Sequence, residues 1–499
     1  MMKTGVCSCV CTVFIFLFPL LVTETKADSV DPSKCQVYGP GLIPNVVLPA
    51  RYFFIETHDS KGKRIHESPN GKFEIKFDGD CKLWQEVLDV RDGSLIVRYK
   101  LYKSCQHMTI NVSYNGKPVA KSPYKLHGPF HSETCNCPED DFDSWMRDFG
   151  CPQRTDQQIL DDLDMFPALN YSEFRAAAWE RFDRPNSMSV CNYVVKNNEV
   201  HRKCLGAHVG FKMFWDNILL SMARKVKLPD LELIVNLGDW PLVRLEELKV
   251  PMLSWCGSDE TIDIVVPTYE LTEATLECMG RVTIDMLSVQ GNTPMPWEQR
   301  KPVAFWRGRD SSRERLDLIK IAREHHDLIN ASLTNFFFFR DLEDIYGPKV
   351  KHVSFFDFFE YKYQLNLDGT VAAYRCPFLL AGGSTVFKQD SPYYEHFYGK
   401  LHPWTHYVPL AKNLSDVEDR LKWAQEHDDE AHKIAKQGQM FTQENLMPKD
   451  IFCYYAMLFR EMRDRLVSKV KVQKGMEKVP QPESDCECLQ RKEEPKDEL

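Results

Sequence analysis

Several familiar chemistries are missing from this 499-residue chain. It has no Walker lysine loop to cradle a nucleoside triphosphate and no Gly-x-Gly-x-x-Gly after a strand for a dinucleotide. A Gly-x-Ser-x-Gly elbow and a His-Glu-x-x-His helix are absent too, which excludes the common serine hydrolases and zinc peptidases. Without a Cys-x-x-Cys motif, a thioredoxin-like thiol chemistry lacks its usual pair. Positive charge is also short: 63 Lys and Arg against 72 Asp and Glu give a net charge of -9, so nucleic acid is not the expected partner. Long apolar runs are confined to one place, Val6 to Val22, so nothing after it would hold the chain in a membrane.

That single run, preceded by Lys3 and followed by a polar stretch and Ala27, has the form of a secretory signal peptide, residues 1–27. The last four residues, Lys496 to Leu499, spell the address read by the KDEL retrieval receptor. Together they predict residence in the lumen of the endoplasmic reticulum without membrane insertion. Of 17 cysteines, Cys7, Cys9 and Cys11 leave with the signal, and the even remainder in an oxidising lumen predicts several disulfides. Sequons at Asn111, Asn170, Asn330 and Asn413 are N-glycosylation acceptors wherever they are exposed.

From Asp28 to about Ser132 the text reads as short antiparallel strands. Met108, Ile110, Val112 and Tyr114 alternate with Thr109, Asn111 and Ser113, and Asn115-Gly116 supplies a hairpin turn. Asn111 falls on the outward face. Beyond residue 133 strands and helices alternate in the β-loop-α-β pattern of doubly wound domains. The strand Leu231 to Leu237 stops at Gly238-Asp239-Trp240-Pro241; Val303 to Trp306 runs into Arg307-Gly308-Arg309-Asp310 and a helix capped near Ser311 or Ser312. Tyr363 to Leu367 leads through Asp368-Gly369-Thr370 to a helix-like Val371 to Ala381, in which Pro377 predicts a kink or an early stop. Ser415 and Glu418 have capping-box spacing for a helix to about Lys436. From Lys474 on, the charged, proline-bearing tail reads as a flexible leash; residues 471–499 are set apart from a body spanning 133–470.

Ligands of open α/β sheets bind beyond the carboxyl ends of strands, and three such ends carry suitable groups. Asp239 offers a carboxylate beside an aromatic wall, although a turn aspartate that only bonds its own backbone explains the local sequence equally well. Arg307, Arg309, Arg313 and Arg315 suit a diphosphate, with a salt-bridged surface as the bland alternative. The Asp368-Gly369-Thr370 turn would aim N–H groups at an anion. Asp162-Leu163-Asp164 has the form of a metal-binding Asp-x-Asp but lies in an acidic helix-like stretch, and reads as solvated surface.

Resemblance decides among these. "VYGPGL" (37–42), "DGSLIVRY" (92–99) and "NVSYNGKPVAKSPY" (111–124) resemble a filamin-type immunoglobulin-like repeat, covering 28–132. "LPDLELIVNLGDWP" (228–241), "VAFWRGRDSSRERL" (303–316), "YKYQLNLDGTVAAYRCPFLLAGGSTVF" (361–387) and "YYEHFYGKLHPWTHYVPL" (393–410) resemble the Rumi-type protein O-glucosyltransferases. With the filamin-type module and the terminal Lys-Asp-Glu-Leu, the whole is similar to the KDEL-motif-containing members of that family.

The resemblance implies a multidomain chain: an all-β sandwich followed by an α/β GT-B glycosyltransferase with two Rossmann-like lobes. It implies inverting, metal-independent transfer of glucose or xylose from UDP-glucose or UDP-xylose to serine of folded EGF-like repeats, with no cofactor. Asp239 matches the family's catalytic base. Arg309, Arg315 and the stretch Thr370, Val371, Ala372, Ala373, Tyr374 and Arg375 fall on donor-binding positions, and Glu395 on the nucleotide side as a ribose ligand. Cys453 matches a cysteine that bonds back to the start of the catalytic region, which implies Cys135–Cys453 and a neighbouring Cys137–Cys151 loop. Two departures stand out: Arg309 replaces a serine, and Cys204 lacks the nearby partner that shapes the family's acceptor loop. The rival readings are a luminal chaperone with a degenerate transferase body, and a thiol-redox assistant using Cys135-x-Cys137 or Cys486-x-Cys488.

Overall fold

The computed structural model describes residues 29–488 except 248, 277–283, 294 and 485. The expected signal peptide and the Lys-Asp-Glu-Leu terminus lie outside the described residues.

The amino-terminal module is a sandwich of antiparallel strands. One sheet runs in the order Gln36–Tyr38, Arg51–Glu56, Ser94–Leu101, Leu83–Asp89. The other is built on Cys105–Tyr114, flanked by Phe73–Gly79 and Tyr124–Phe130. Within Cys105–Tyr114, from Met108 onward the buried residues are the alternate ones, Met108, Ile110, Val112 and Tyr114, because strand side chains point to opposite faces. Asn115 and Gly116, at φ 48° and 78°, make the left-handed turn that suits a two-residue hairpin.

The strand Arg51–Glu56 is buried along both faces, unlike a one-sided sandwich strand. Phe53 and Ile55 fill the sandwich core, while Tyr52 and Phe54 enter the core of the α/β body with Leu88 and Ile96. Each such side chain contributes about 1.5–3 kcal/mol. Around this seam Arg98 pairs with Asp285 at 3.2 Å and donates to Ser288 Oγ at 2.9 Å. A Cβ on Gly291 would lie 2.4 Å from Leu88 Cβ, so only glycine allows that approach. The module is therefore packed on the body, not tethered to it.

The body holds two sheets. A six-stranded one has the order Ile264–Val265, Met252–Ser254, Leu231–Asn236, Val190–Lys196, Glu199–Leu205, Glu477–Val479, its first three strands parallel. The other is wholly parallel: Ile329–Asn335, Lys301–Arg309, Tyr361–Asn366, Thr385–Gln389, Val408–Leu410. Helices such as Arg313–Glu324 cover it, so along its central strands polar residues such as Gln364, Asn366 and Thr385 are buried beside apolar ones such as Tyr363 and Phe387. The long helix Pro448–Arg465 returns to the core of the first sheet.

Four expectations are corrected by this fold. Residues 371–375 are turns, and the helix is only Cys376–Ala381; Pro377 opens it, since its fixed φ fits the first turn. The helix after Ser415 breaks at His427 into Val417–Glu426 and Asp428–Asn445, with Asp416 at the first N-cap and no capping box. Asp162 is not solvated: it accepts from Val265 N at 2.8 Å and Gln158 Nε2 at 2.8 Å, and burial pushes its pKa up to about 7. The tail is strapped down as far as Cys488, first as a strand on the sheet edge beside Glu199–Leu205 and then by disulfides.

The disulfide pairing is also corrected. Cys135, Cys137, Cys151 and Cys453 are all bonded, but as Cys151–Cys453, Cys135–Cys486 and Cys137–Cys488. Cys204 has a partner after all, Cys191, across an antiparallel ladder that sequence distance hid. Cys81–Cys105 closes a loop in the sandwich, and Cys35, Cys256 and Cys376 are buried free thiols.

Candidate active site

Both sheets aim strand ends at one cleft of about 560 Å³. Asp239 enters from the first sheet after Leu231–Asn236. From the parallel sheet come Arg309, at the end of Lys301–Arg309, and Thr370 to Arg375 after Tyr361–Asn366. Asp239, Arg309, Arg315, Thr370, Val371, Ala372, Ala373, Tyr374 and Arg375 all line the cleft.

Asp239 is not a turn aspartate bonding its own backbone. Asn236 does that work: its Nδ2 donates to Trp240 O at 2.6 Å and its Oδ1 accepts from Gly238 N at 2.8 Å. Tyr374 Oη and Cys256 Sγ hold the Asp239 carbonyl at 3.2 and 3.3 Å. The side chain is left free, with Oδ1 buried and unpartnered. Burial raises its pKa, and the Arg309 charge opposes that rise. Such a carboxylate is poised to take a proton from a bound hydroxyl.

The arginines divide by what they already hold. Arg315 is buried and donates from Nε to Asp368 O at 2.8 Å, from Nη1 to Arg309 O at 3.1 Å and from Nη2 to Leu367 O at 3.0 Å. It ties two strand ends together and leaves little of its fork for a ligand; burial pulls its pKa down to about 9. Arg307 is spent on Trp306 O and Asn330. Arg375 donates to Arg307 O at 2.5 Å, and Glu270 partly offsets the burial that lowers its pKa. Arg309 is exposed, and among the described residues its side chain makes no hydrogen bond or ion pair. Among the guanidiniums lining the cleft it is the one whose donors are all free.

Two expectations about the turn and its surroundings change. Gly369 N bonds Val371 O at 2.9 Å and Asp368 N bonds Gln389 Oε1 at 3.0 Å, so the first two N–H groups of that turn do not face an anion. Glu395 is 0% exposed, does not line the cleft and has no hydrogen-bond partner at either oxygen. Burial holds its carboxyl well above the ordinary range; buried outside the cleft lining, it is not placed as a ribose ligand. Sequence reasoning missed Tyr269, Glu270, Glu273 and His352, which line the cleft from a helix start and a loop. No motif marks them; only their position opposite the strand ends does.

The four sequons differ. Asn413 is exposed; Asn170 caps the helix Tyr171–Phe182; Asn111 donates to Asp78. Asn330 lies in the parallel sheet, its amide shared between Tyr361 Oη and Arg307.

An unpartnered carboxylate and an open guanidinium thus line one inter-sheet cleft, and the family comparison gives the class of protein. Residues 148–498 match the glycosyl transferase family 90 model, and the chain belongs to that family; it is a glycosyltransferase. Residues 29–125 match the Filamin/ABP280 repeat. The chain is 50% identical over 470 residues to Protein O-glucosyltransferase 2 of Danio rerio, covering 92% of this chain and 93% of that one. It is 44% identical over 479 residues to Protein O-glucosyltransferase 3 of Homo sapiens, covering 93% and 94%. With Protein O-glucosyltransferase 1 of Homo sapiens it shares 31% identity over 263 residues, 51% of this chain and 67% of that one.

Proposed function

We propose that this glycosyltransferase moves glucose or xylose from a UDP-sugar to the serine hydroxyl of folded EGF-like repeats, with inversion and without a metal or cofactor. The observation that carries the reading is the buried, unpartnered Asp239 carboxylate set across the cleft from the strand-end arginines. The serine Oγ–H donates to Asp239 as its oxygen attacks the anomeric carbon from the face opposite the leaving diphosphate. A base so placed supplies about 100- to 10,000-fold. Charge on the departing UDP is met first by Arg309, with Arg375 and Arg315 behind it, because fixed donors act strongly where water is excluded.

Two α/β sheets with their strand ends turned to a shared cleft support a GT-B architecture, the parallel sheet taking the nucleotide. The names of the relatives support glucose as the sugar and protein as the acceptor. The apolar run at the start and Lys496 to Leu499 at the end support work in the endoplasmic reticulum lumen, with the KDEL receptor as a partner. Among the described residues no helix is long and apolar enough to cross a membrane.

The test is mass spectrometry of a folded EGF-like repeat after incubation with UDP-glucose and, separately, UDP-xylose. A gain of one hexose or one pentose on serine, lost in Asp239→Asn, is the expected outcome. A repeat left unmodified by active, folded enzyme with either donor removes this acceptor class.

A further inference from the structure

Two Cys-x-Cys pairs stand 351 residues apart in the chain, and the fold lays one against the other. They meet where the filamin-type module, the linker and the strapped tail converge. His131, at the exit of the module, reaches the same point: a ring nitrogen and the Sγ atoms of Cys135, Cys137 and Cys486 all lie within 4.8 Å of one another. Its Nδ1 is buried and has no hydrogen-bond partner. Ser104 Oγ sits 2.7 Å from Cys135 Sγ and 3.2 Å from Cys486 Sγ, a hydroxyl placed to donate to sulfur. The group borders a cavity of about 590 Å³, so solutes reach it.

We propose that this junction is a convertible metal site: with its four cysteines reduced it binds one zinc ion through Cys135, Cys137, Cys486 and His131, and oxidation to the two disulfides releases the ion. Three thiolates and an imidazole are a structural zinc set. With Zn–S near 2.3 Å and Zn–N near 2.0 Å, tetrahedral ligand atoms sit roughly 3.5–3.8 Å apart, inside the span observed here once the S–S bonds open. Ser104 then serves as the outer partner that orients and stabilises a thiolate ligand.

The conversion balances. Three Zn–S bonds and one Zn–N bond break, two S–S bonds form, and four electrons pass to two equivalents of a small-molecule disulfide. The four thiolates so produced take up the proton of Cys488 and three from water. In both states Cys486 keeps the tail on the linker, through zinc in one and through Cys135 in the other. The strap is therefore held before its cysteines are oxidised.

The experiment uses the full chain made in a reducing bacterial cytosol and purified without oxygen. Zinc per chain is measured by mass spectrometry of the metal after gel filtration, and cobalt is substituted to read thiolate ligation by absorption. One zinc per chain is expected, retained in Cys191→Ser/Cys204→Ser and lost in Cys135→Ser/Cys137→Ser. His131→Ala should lose zinc on dialysis, and two equivalents of oxidised glutathione should release the ion as four thiols disappear. If the reduced chain does not fold, folded oxidised protein is treated with a dithiol, its thiols are mapped by alkylation, and zinc is added. No zinc on folded protein with these four thiols free, zinc unchanged in the Cys135→Ser/Cys137→Ser protein, or disulfides here that resist the dithiol would each overturn the proposal.

Discussion

Removing the Cys151–Cys453 bond tests the corrected disulfide map and gives a cost that depends on the strap beside it. Both cysteines are buried, so Cys151→Ala with Cys453→Ala avoids leaving a hydroxyl in the core. In the intact protein the loop this bond closes is not the whole 302-residue span. A shorter path runs from Cys151 back to Cys137, across to Cys488 and back to Cys453, about 50 residues, for which the chain-entropy relation gives about 4 kcal/mol. Once Cys135–Cys486 and Cys137–Cys488 are removed, the bond alone closes the long span and is worth about 6 kcal/mol. Urea unfolding of the parent, each deletion and their combination should therefore show the core bond costing roughly 1.5 kcal/mol more to lose in the strapless background. An equal cost in both backgrounds refutes the nested-loop reasoning. Peptide mapping that joined Cys453 to Cys135 would refute the map itself.

Asp239→Asn should keep UDP affinity by calorimetry while transfer falls about 100- to 10,000-fold; unchanged turnover removes Asp239 from the mechanism. Transfer by the oxidised protein should survive excess chelator, and activity abolished by chelator and restored by manganese would remove the arginine-only account of the leaving group. Asp162 has its pKa raised from 3.8 to about 7, so its folded form holds a proton the unfolded chain has released; stability from this group is full below about pH 4 and is lost as pH rises toward 7. Asp162→Asn should flatten part of that decline, read as urea midpoints at pH 4, 5, 6 and 7, and an identical profile would contradict it. Glycopeptide mapping of secretory-pathway protein should find Asn413 occupied and Asn330 bare, since a glycan on Asn330 would break its bonds to Tyr361 and Arg307; an occupied Asn330 in folded enzyme would contradict the sheet position.

What the sequence disclosed was whatever local physics decides. The alternation from Met108 to Tyr114 and the Asn115-Gly116 turn reappear residue for residue, because period-two burial and left-handed turn geometry are written within a few positions. The buried runs before Asp239 and before Asp368 likewise announced strands ending at a ligand cleft. Disulfide pairing is another matter: the cysteines of this chain admit very many pairings, and only the return of the tail along Glu199–Leu205 selects Cys486 and Cys488. The helix break at His427 and the burial of Glu395 are also products of tertiary packing that no window of sequence contains.

The distinction extends to the arginine cluster, where residue type was legible and role was not. Four arginines near a strand end all suit an anion by chemistry, yet Arg307 and Arg315 are consumed in holding strand ends to one another. Their carbonyl bonds fix the cleft wall on which Arg309 stands, and Arg375 braces the same wall through Arg307 O. Arg313 stands exposed over the Phe339 ring and does not line the cleft; within the cleft the cluster is an internal frame with one wholly open fork, Arg309, the residue that departs from the resembled family's serine. A longer, charged side chain at that position reaches farther across the cleft toward Asp239 than a hydroxyl would, and it is Arg309 that opposes the burial-raised pKa there. On the proposed mechanism one residue therefore bears on both the donor and the base, so substitution of Arg309 should alter donor affinity by calorimetry and the acid limb of the rate profile together.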